Sequence, residues 1–160
     1  MFKRKTLFVL GAGASAEVGL PVGTALAKTI GKKLDIRFES YTRFIGQGDR
    51  DLYESVTRGR SDRIGLQHAG LRIRDGIELA QSIDDFLDLH RSDKLMTIYG
   101  KAAIVRSILD AEGKSDLYYN PFGDSGRKRF DASIVANTWF VKFMRMLGRG
   151  TSEGGCNIAF

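Results

Sequence analysis

The 160-residue chain predicts an α/β fold, a parallel sheet whose N-terminal part carries a large and mostly helical insertion. Three observations point to it. Leu7-Phe8-Val9-Leu10 is a wholly apolar run that stops at glycine, as a parallel strand buried on both faces does. It opens directly into Gly11-Ala12-Gly13-Ala14-Ser15-Ala16, a glycine-rich turn of the kind that leads from a central strand into a helix. Beyond the turn, apolar residues recur at helical spacing over several long stretches.

The elements follow in order. After the strand at Leu7–Leu10, Gly19-Leu20-Pro21 interrupts the first helix after about a turn and a half, and Gly23-Thr24 restarts it. Thr24 is the expected N-cap of a helix that buries Ala25, Leu26, Ile30 and Leu34 and leaves Lys28, Lys32 and Lys33 outside. From Asp35 to Gly70 the Arg, Gly and Asp content predicts broken helix and surface loop. Leu71, Ile73, Ile77 and Ala80 resume helical spacing, and Ser82 with Asp85 three residues on reads as a capping box for a short helix carrying Ile83, Phe86 and Leu87. Ser92 is then expected to cap a longer helix with an inward face of Leu95, Ile98, Tyr99, Ala102, Val105, Ile108 and Leu109. Ser115 to Ser133, with Asn120-Pro121, Gly123 and Gly126, reads as a long exposed loop. Asn137 is expected to cap a last helix with Trp139, Phe140, Phe143, Met144 and Leu147 inward, closed by Gly148 and Gly150. Cys156 to Phe160 reads as a strand beginning, so the expectation is a single domain over residues 1–160, truncated at its C-terminal end.

Composition narrows the class. With 42% hydrophobic and 28% charged residues, 19 Gly and 2 Pro, the chain is long enough to bury a core without a disulfide or metal, and disordered, collagen-like and disulfide-scaffold classes are excluded. Cys156 is the single cysteine, which rules out an intramolecular disulfide and a Cys-rich zinc site and favours a reducing compartment. No window approaches the ~18 consecutive apolar residues of a spanning helix, so the expectation is a cytoplasmic protein without a membrane partner. Lys3-Arg4-Lys5 before an apolar run resembles a signal peptide, but Gly11 and Gly13 break the run too early for an h-region of ~7–15 residues.

The glycine-rich turn carries the chemistry. Gly11 supplies freedom for a tight exit from the strand, and the missing side chain at Gly13 lets a pyrophosphate approach backbone N–H groups, with the Ser15 hydroxyl as a further donor. Gly11, Gly13 and Ala16 satisfy G-x-G-x-x-G/A, a weak signal alone and a stronger one after a strand. The competing reading is a turn whose small residues only permit close packing. A P-loop is excluded because no G-K-[ST] follows. A dehydrogenase would need an acidic residue about 20 positions on, where Asp35 or Glu39 stands, but its helix would not break at Pro21.

Read together, VLGAGASAEVGLPVGTAL (Val9–Leu26) resembles the N-terminal NAD-binding motif of sirtuin-like (SIR2) domains, in particular the bacterial branch that hydrolyses NAD in anti-phage defence. Ser82–Leu87, Gly100–Ile104 and the Trp139 helix are similar, more loosely, to the helical insertion of that branch. The resemblance implies a Rossmann-like sheet, NAD as substrate or ligand, and a cofactor cradle at Gly11, Ala12, Gly13, Ala14, Ser15 and Pro21. Val22-Gly23-Thr24 departs from the acidic residue, Phe and Arg that follow Pro in the deacylases, which favours the hydrolase branch. The family's catalytic Asn motif and its later His base are not found in the chain. Asn157 lies inside the expected last strand. The chain alone is therefore expected to supply the cofactor cradle without turnover, and no catalytic residue is named.

The remaining candidates have plainer readings. His68 and His90 are 22 positions apart, without further ligands at metal spacing, so no metal site is expected, and His90 is expected to make a C-terminal capping contact. Asp84 and Asp85 point about 100° apart on a helix, so a catalytic pair is not expected. The basic clusters Lys3–Lys5, Arg58–Arg63, Arg72 with Arg74, and Arg127–Arg129 permit nucleic-acid binding at a net charge of +6. They are scattered without interleaved aromatics, so solvated surface is the stronger expectation. The apolar face of the Trp139 helix reads as core rather than partner surface, and truncation that leaves it partly exposed would lead to a homo-oligomer or aggregation. A non-catalytic nucleotide-binding module and a basic helical nucleic-acid-binding protein are the alternatives.

Overall fold

A computed structural model describes residues 7–39, 43–119 and 129–148. Of these, 65% are helical and 6% extended, and the extended residues form two antiparallel two-residue pairs, Phe38–Glu39 (β1) with Arg43–Phe44 (β2) and Tyr118–Tyr119 (β3) with Arg129–Phe130 (β4). The expected parallel, Rossmann-like sheet is thus overturned. Leu7–Leu10 is not a strand, because a strand exists only through a ladder partner and none of the described residues supplies one. Leu7 and Val9 are each 87% exposed, so burial on both faces, which the apolar run implied, does not occur.

The chain divides into two compact units, a discontinuous one made of Met1–Leu20 with Gly113–Phe160, and a continuous one, Pro21–Glu112. The continuous unit is helical. α1 (Gly23–Lys33) starts after Val22 without a side-chain cap, so Thr24 is inside the helix rather than capping it. The stretch expected to be irregular contains two helices, α2 (Arg50–Thr57) and most of α3 (Arg63–Ile77), each opened by an aspartate. Asp49 accepts from the Leu52 N–H and Asp62 from the Gly65 N–H. α4 (Ile83–Leu89) begins as expected, the Ser82 hydroxyl accepting from the Asp85 N–H at 3.0 Å. α5 (Lys94–Lys114) is capped by Asp93, whose carboxylate accepts from the Leu95 and Met96 N–H groups, and not by Ser92.

The core of this unit joins Ile30 and Leu34 of α1, Ile36, Leu52 and Tyr53, Leu66, Ile73 and Ile77 of α3, Phe86 and Leu87 of α4, and Met96 and Tyr99 of α5. Glycines let the helices close. A Cβ on Gly70 would lie 2.7 Å from the Tyr99 ring, and one on Gly76 equally close to Phe86. α5 turns Met96, Tyr99, Gly100, Ala103 and Ser107 to the core, whereas Val105 and Leu109 face out, so the face expected to be inward is largely the outward one. Burial leaves the Tyr99 hydroxyl without a hydrogen-bond partner among the described residues.

Ion pairs brace the helices. Lys33 of α1 pairs with Asp49 and Asp110, and Arg106 of α5 with the same two carboxylates. Burial pushes the Asp49 carboxyl up, but hydrogen bonds from Arg106, the Leu52 N–H and Lys33 outweigh it and hold the group down to about 2. Asp35, considered above as a ribose ligand, is taken up by Arg37 and Arg74, and Glu39 pairs with Arg43.

In the discontinuous unit, a 3-10 helix at Ala12–Val18 ends on Gly19, whose φ of +85° suits glycine. The buried Ser115 hydroxyl donates to the Val18 carbonyl at 2.7 Å. β3 and β4 pair within the stretch expected to be loop. α6 (Ala132–Asn137) is capped by Asp131, so Asn137 ends a helix rather than starting one. α7 (Trp139–Gly148) follows Thr138, with Trp139, Phe143, Met144 and Leu147 half-buried but Phe140 exposed. Gly150, Cys156–Phe160 with Asn157, Lys3–Lys5, Arg127, and the turn residues Asn120-Pro121, Gly123 and Gly126 lie outside the described residues.

Candidate functional site

The glycine-rich segment forms one wall of a cavity of about 510 Å³ within the discontinuous unit. Leu10, Gly11, Ala14, Ser15 and Val18 line that wall, and Phe130, Trp139 and Phe140 line the aromatic side opposite. The volume lies within the ~300–1,000 Å³ usual for small-molecule sites.

Trp139 fastens the two walls together. Its indole Nε1 donates to the Ala14 carbonyl at 2.6 Å, and its backbone N–H donates to a Glu17 carboxylate oxygen at 2.7 Å. Phe143 tilts against Trp139 at 6.2 Å between ring centroids and meets Phe8 edge-on at 4.8 Å. The 3-10 helix closes on itself through the Ala14 N–H to Gly11 carbonyl bond at 2.9 Å.

Neither glycine of the turn is there for the backbone. Gly11 has φ −89° and ψ 171°, an extended conformation open to any residue, and Gly13 has no positive φ. A Cβ at either position would meet nothing within 4 Å among the described residues. The expected tight turn at Gly11 is therefore corrected, since no left-handed conformation or packed neighbour demands glycine.

Of the residues expected to cradle a cofactor, the structure brings Gly11, Ala14 and Ser15 to the cavity wall. Gly13 adjoins them in the same 3-10 helix with its Cα face open, and Ala12 begins that helix. Pro21 belongs to the other unit and does not line the cavity. Sequence reasoning missed Glu17 as the partner of Trp139. It read the tryptophan as a core residue, and no local pattern links positions 122 apart.

The other candidates take their plainer roles. His90 closes α4, its Nδ1 lying 2.8 Å from the Phe86 carbonyl and its ring against Phe86. His68 is exposed on α3. Arg72 pairs with Asp93, and Arg74 with Asp35 and Asp75. Among the described residues no group of three or more His, Cys, Asp or Glu side chains is placed to hold a metal ion, and no helix is long and apolar enough to cross a membrane. Comparison with protein-family models, with curated proteins and with solved structures finds no match to this chain.

Proposed function

We propose that the cavity beside Gly11–Val18 binds NAD or its ADP-ribose part, and that the chain is the NAD-binding portion of a sirtuin-like NAD hydrolase. The observation that carries this reading is the pair of glycines at Gly11 and Gly13, which neither backbone conformation nor packing requires. The open face beside each glycine leaves room for a ligand to approach the backbone. The aromatic side of the cavity adds faces on which a nicotinamide or adenine ring stacks.

A second reading, a nucleotide-binding module without catalysis, is favoured by the lining itself. No Asn or His is among the described residues that line the cavity, and Glu17, the one ionisable residue among them, already accepts from the Trp139 N–H. Cleavage of the nicotinamide bond needs a group that holds water on the far face of the ribose and a base that takes its proton.

Trp139 is the only tryptophan, so its emission reports on the cavity directly. Titration with NAD and with ADP-ribose is expected to change that emission saturably. Gly11→Val and Gly13→Val are expected to weaken binding roughly tenfold while the helical circular dichroism stays unchanged. Nicotinamide release is expected at the rate of buffer alone. An emission that does not respond to millimolar NAD or ADP-ribose overturns the binding reading, and release above buffer overturns the second reading in favour of the hydrolase.

A further inference from the structure

We propose that α5 is the self-association surface of this protein, its outward stripe Ile98, Lys101, Val105, Ile108 and Glu112 packing antiparallel on the same stripe of a second copy.

α5 is apolar on two opposite faces. Met96, Tyr99 and Ala103 occupy the core side. Half a turn away, positions 98, 101, 105, 108 and 112 alternate steps of three and four, the spacing of a helix-pairing seam. Val105 and Leu109 are each 57% exposed, Ile108 38% and Ile98 36%. Ile98, Val105 and Ile108 therefore form an apolar row outside the core that the described residues leave exposed.

The charges identify the occupant. Lys94 stands in the first turn of α5 and Glu112 in the last, both against the helix macrodipole and only partly offset by Lys114. Lys94, Lys101 and Glu112 have no ion-pair or hydrogen-bond partner among the described residues. An antiparallel copy centred on Val105 sets Glu112 between the Lys94 and Lys101 of its partner, and the twofold axis repeats the match at the other end. A parallel copy would set like charge on like. The groove between α2 and α5, about 550 Å³ and bordered by Leu52, Val105 and Leu109, gives the partner's side chains a place to enter.

Sedimentation velocity on the full chain over a concentration series tests this. A reversible dimer is expected, and Val105→Glu is expected to weaken it roughly tenfold or more. Glu112→Lys alone is expected to weaken it several-fold, and the combination Lys94→Glu, Lys101→Glu, Glu112→Lys to restore it, because the inverted charges again face their opposites. All the substituted positions lie on the surface, and circular dichroism verifies that each variant keeps its helices. A monomer at every concentration up to ~1 mM overturns the proposal. So does a dimer indifferent to Val105→Glu, or a charge-inverted variant that stays as weak as Glu112→Lys.

Discussion

The indole N–H of Trp139 donates to the carbonyl of Ala14, joining α7 to the glycine-rich segment across 125 positions of sequence. Trp139→Phe keeps an aromatic ring in the cavity and removes this one bond. The variant is expected to lose about 1 kcal/mol of stability, the net worth of a hydrogen bond whose acceptor is left unpaired. Hydrogen exchange is expected to speed up over Ala12–Val18 and to stay unchanged in α3, and equal protection in both variants would show that the bond holds nothing in place.

Gly46 and Gly13 differ in what surrounds them. A Cβ on Gly46 would drive into the carbonyl of Asp35, which is backbone and has nowhere to move, whereas one on Gly13 enters open space. Gly46→Ala is expected to cost roughly 2–4 kcal/mol in urea denaturation. Gly13→Ala is expected to be neutral or slightly stabilising, since alanine favours helical backbone. A large loss at Gly13 would mean that the turn is packed after all.

Tyr99 is fully buried with its hydroxyl unpartnered among the described residues, and burial pushes the phenol above its ordinary range. An orphaned polar group costs free energy that its removal returns. Tyr99→Phe is therefore expected to stabilise the chain by roughly 1 kcal/mol, a direction seldom found for a core substitution. A lower urea midpoint would show that the hydroxyl has a partner in solution.

Acid is expected to weaken the protein over a defined interval. Arg37 hydrogen bonds, opposed by burial and reinforced by Arg74 and the Gln47 N–H, hold the Asp35 carboxyl at about 2, against 3.8 for an ordinary aspartate. The folded state therefore binds fewer protons than the unfolded chain between these values. The contribution of Asp35 is complete above about pH 5 and is lost as pH falls from about 4 to about 2, roughly 1–2 kcal/mol in all. Asp49 titrates in the same interval. Urea midpoints measured from pH 6 to pH 2 are expected to fall most steeply there, and more shallowly in Asp35→Asn.

What could be read in the sequence was what local chemistry decides. Ser82 caps α4, His90 closes it, Gly19-Leu20-Pro21 breaks the first helical segment and Gly23 restarts it, because each depends on residues within four positions. The first half of α3 went unread because Gly65 and Gly70 weigh against helix locally, and α2 because the Arg, Gly and Asp content around it predicts loop. The structure spends Gly70 on close approach to the Tyr99 ring. The inward face of α5 was misread because two apolar stripes compete on it, and which one the core takes is settled by α3 and α4. Leu7–Leu10 has the composition of a strand, but pairing needs a neighbour, and no local pattern announces that one is lacking.

The discontinuous unit is built from two segments that the ribosome delivers on either side of Pro21–Glu112. The Val18 carbonyl waits for Ser115, 97 positions later, and the Ala14 carbonyl waits for Trp139. At synthesis rates of roughly 5–20 residues per second, that interval is on the order of ten seconds. Pro21–Glu112 assembles its own core meanwhile, and the apolar run Leu7–Leu10 stays without the aromatic wall of α7 until Trp139–Gly148 has been made. The cavity is therefore completed only after the whole of Pro21–Glu112 has been made.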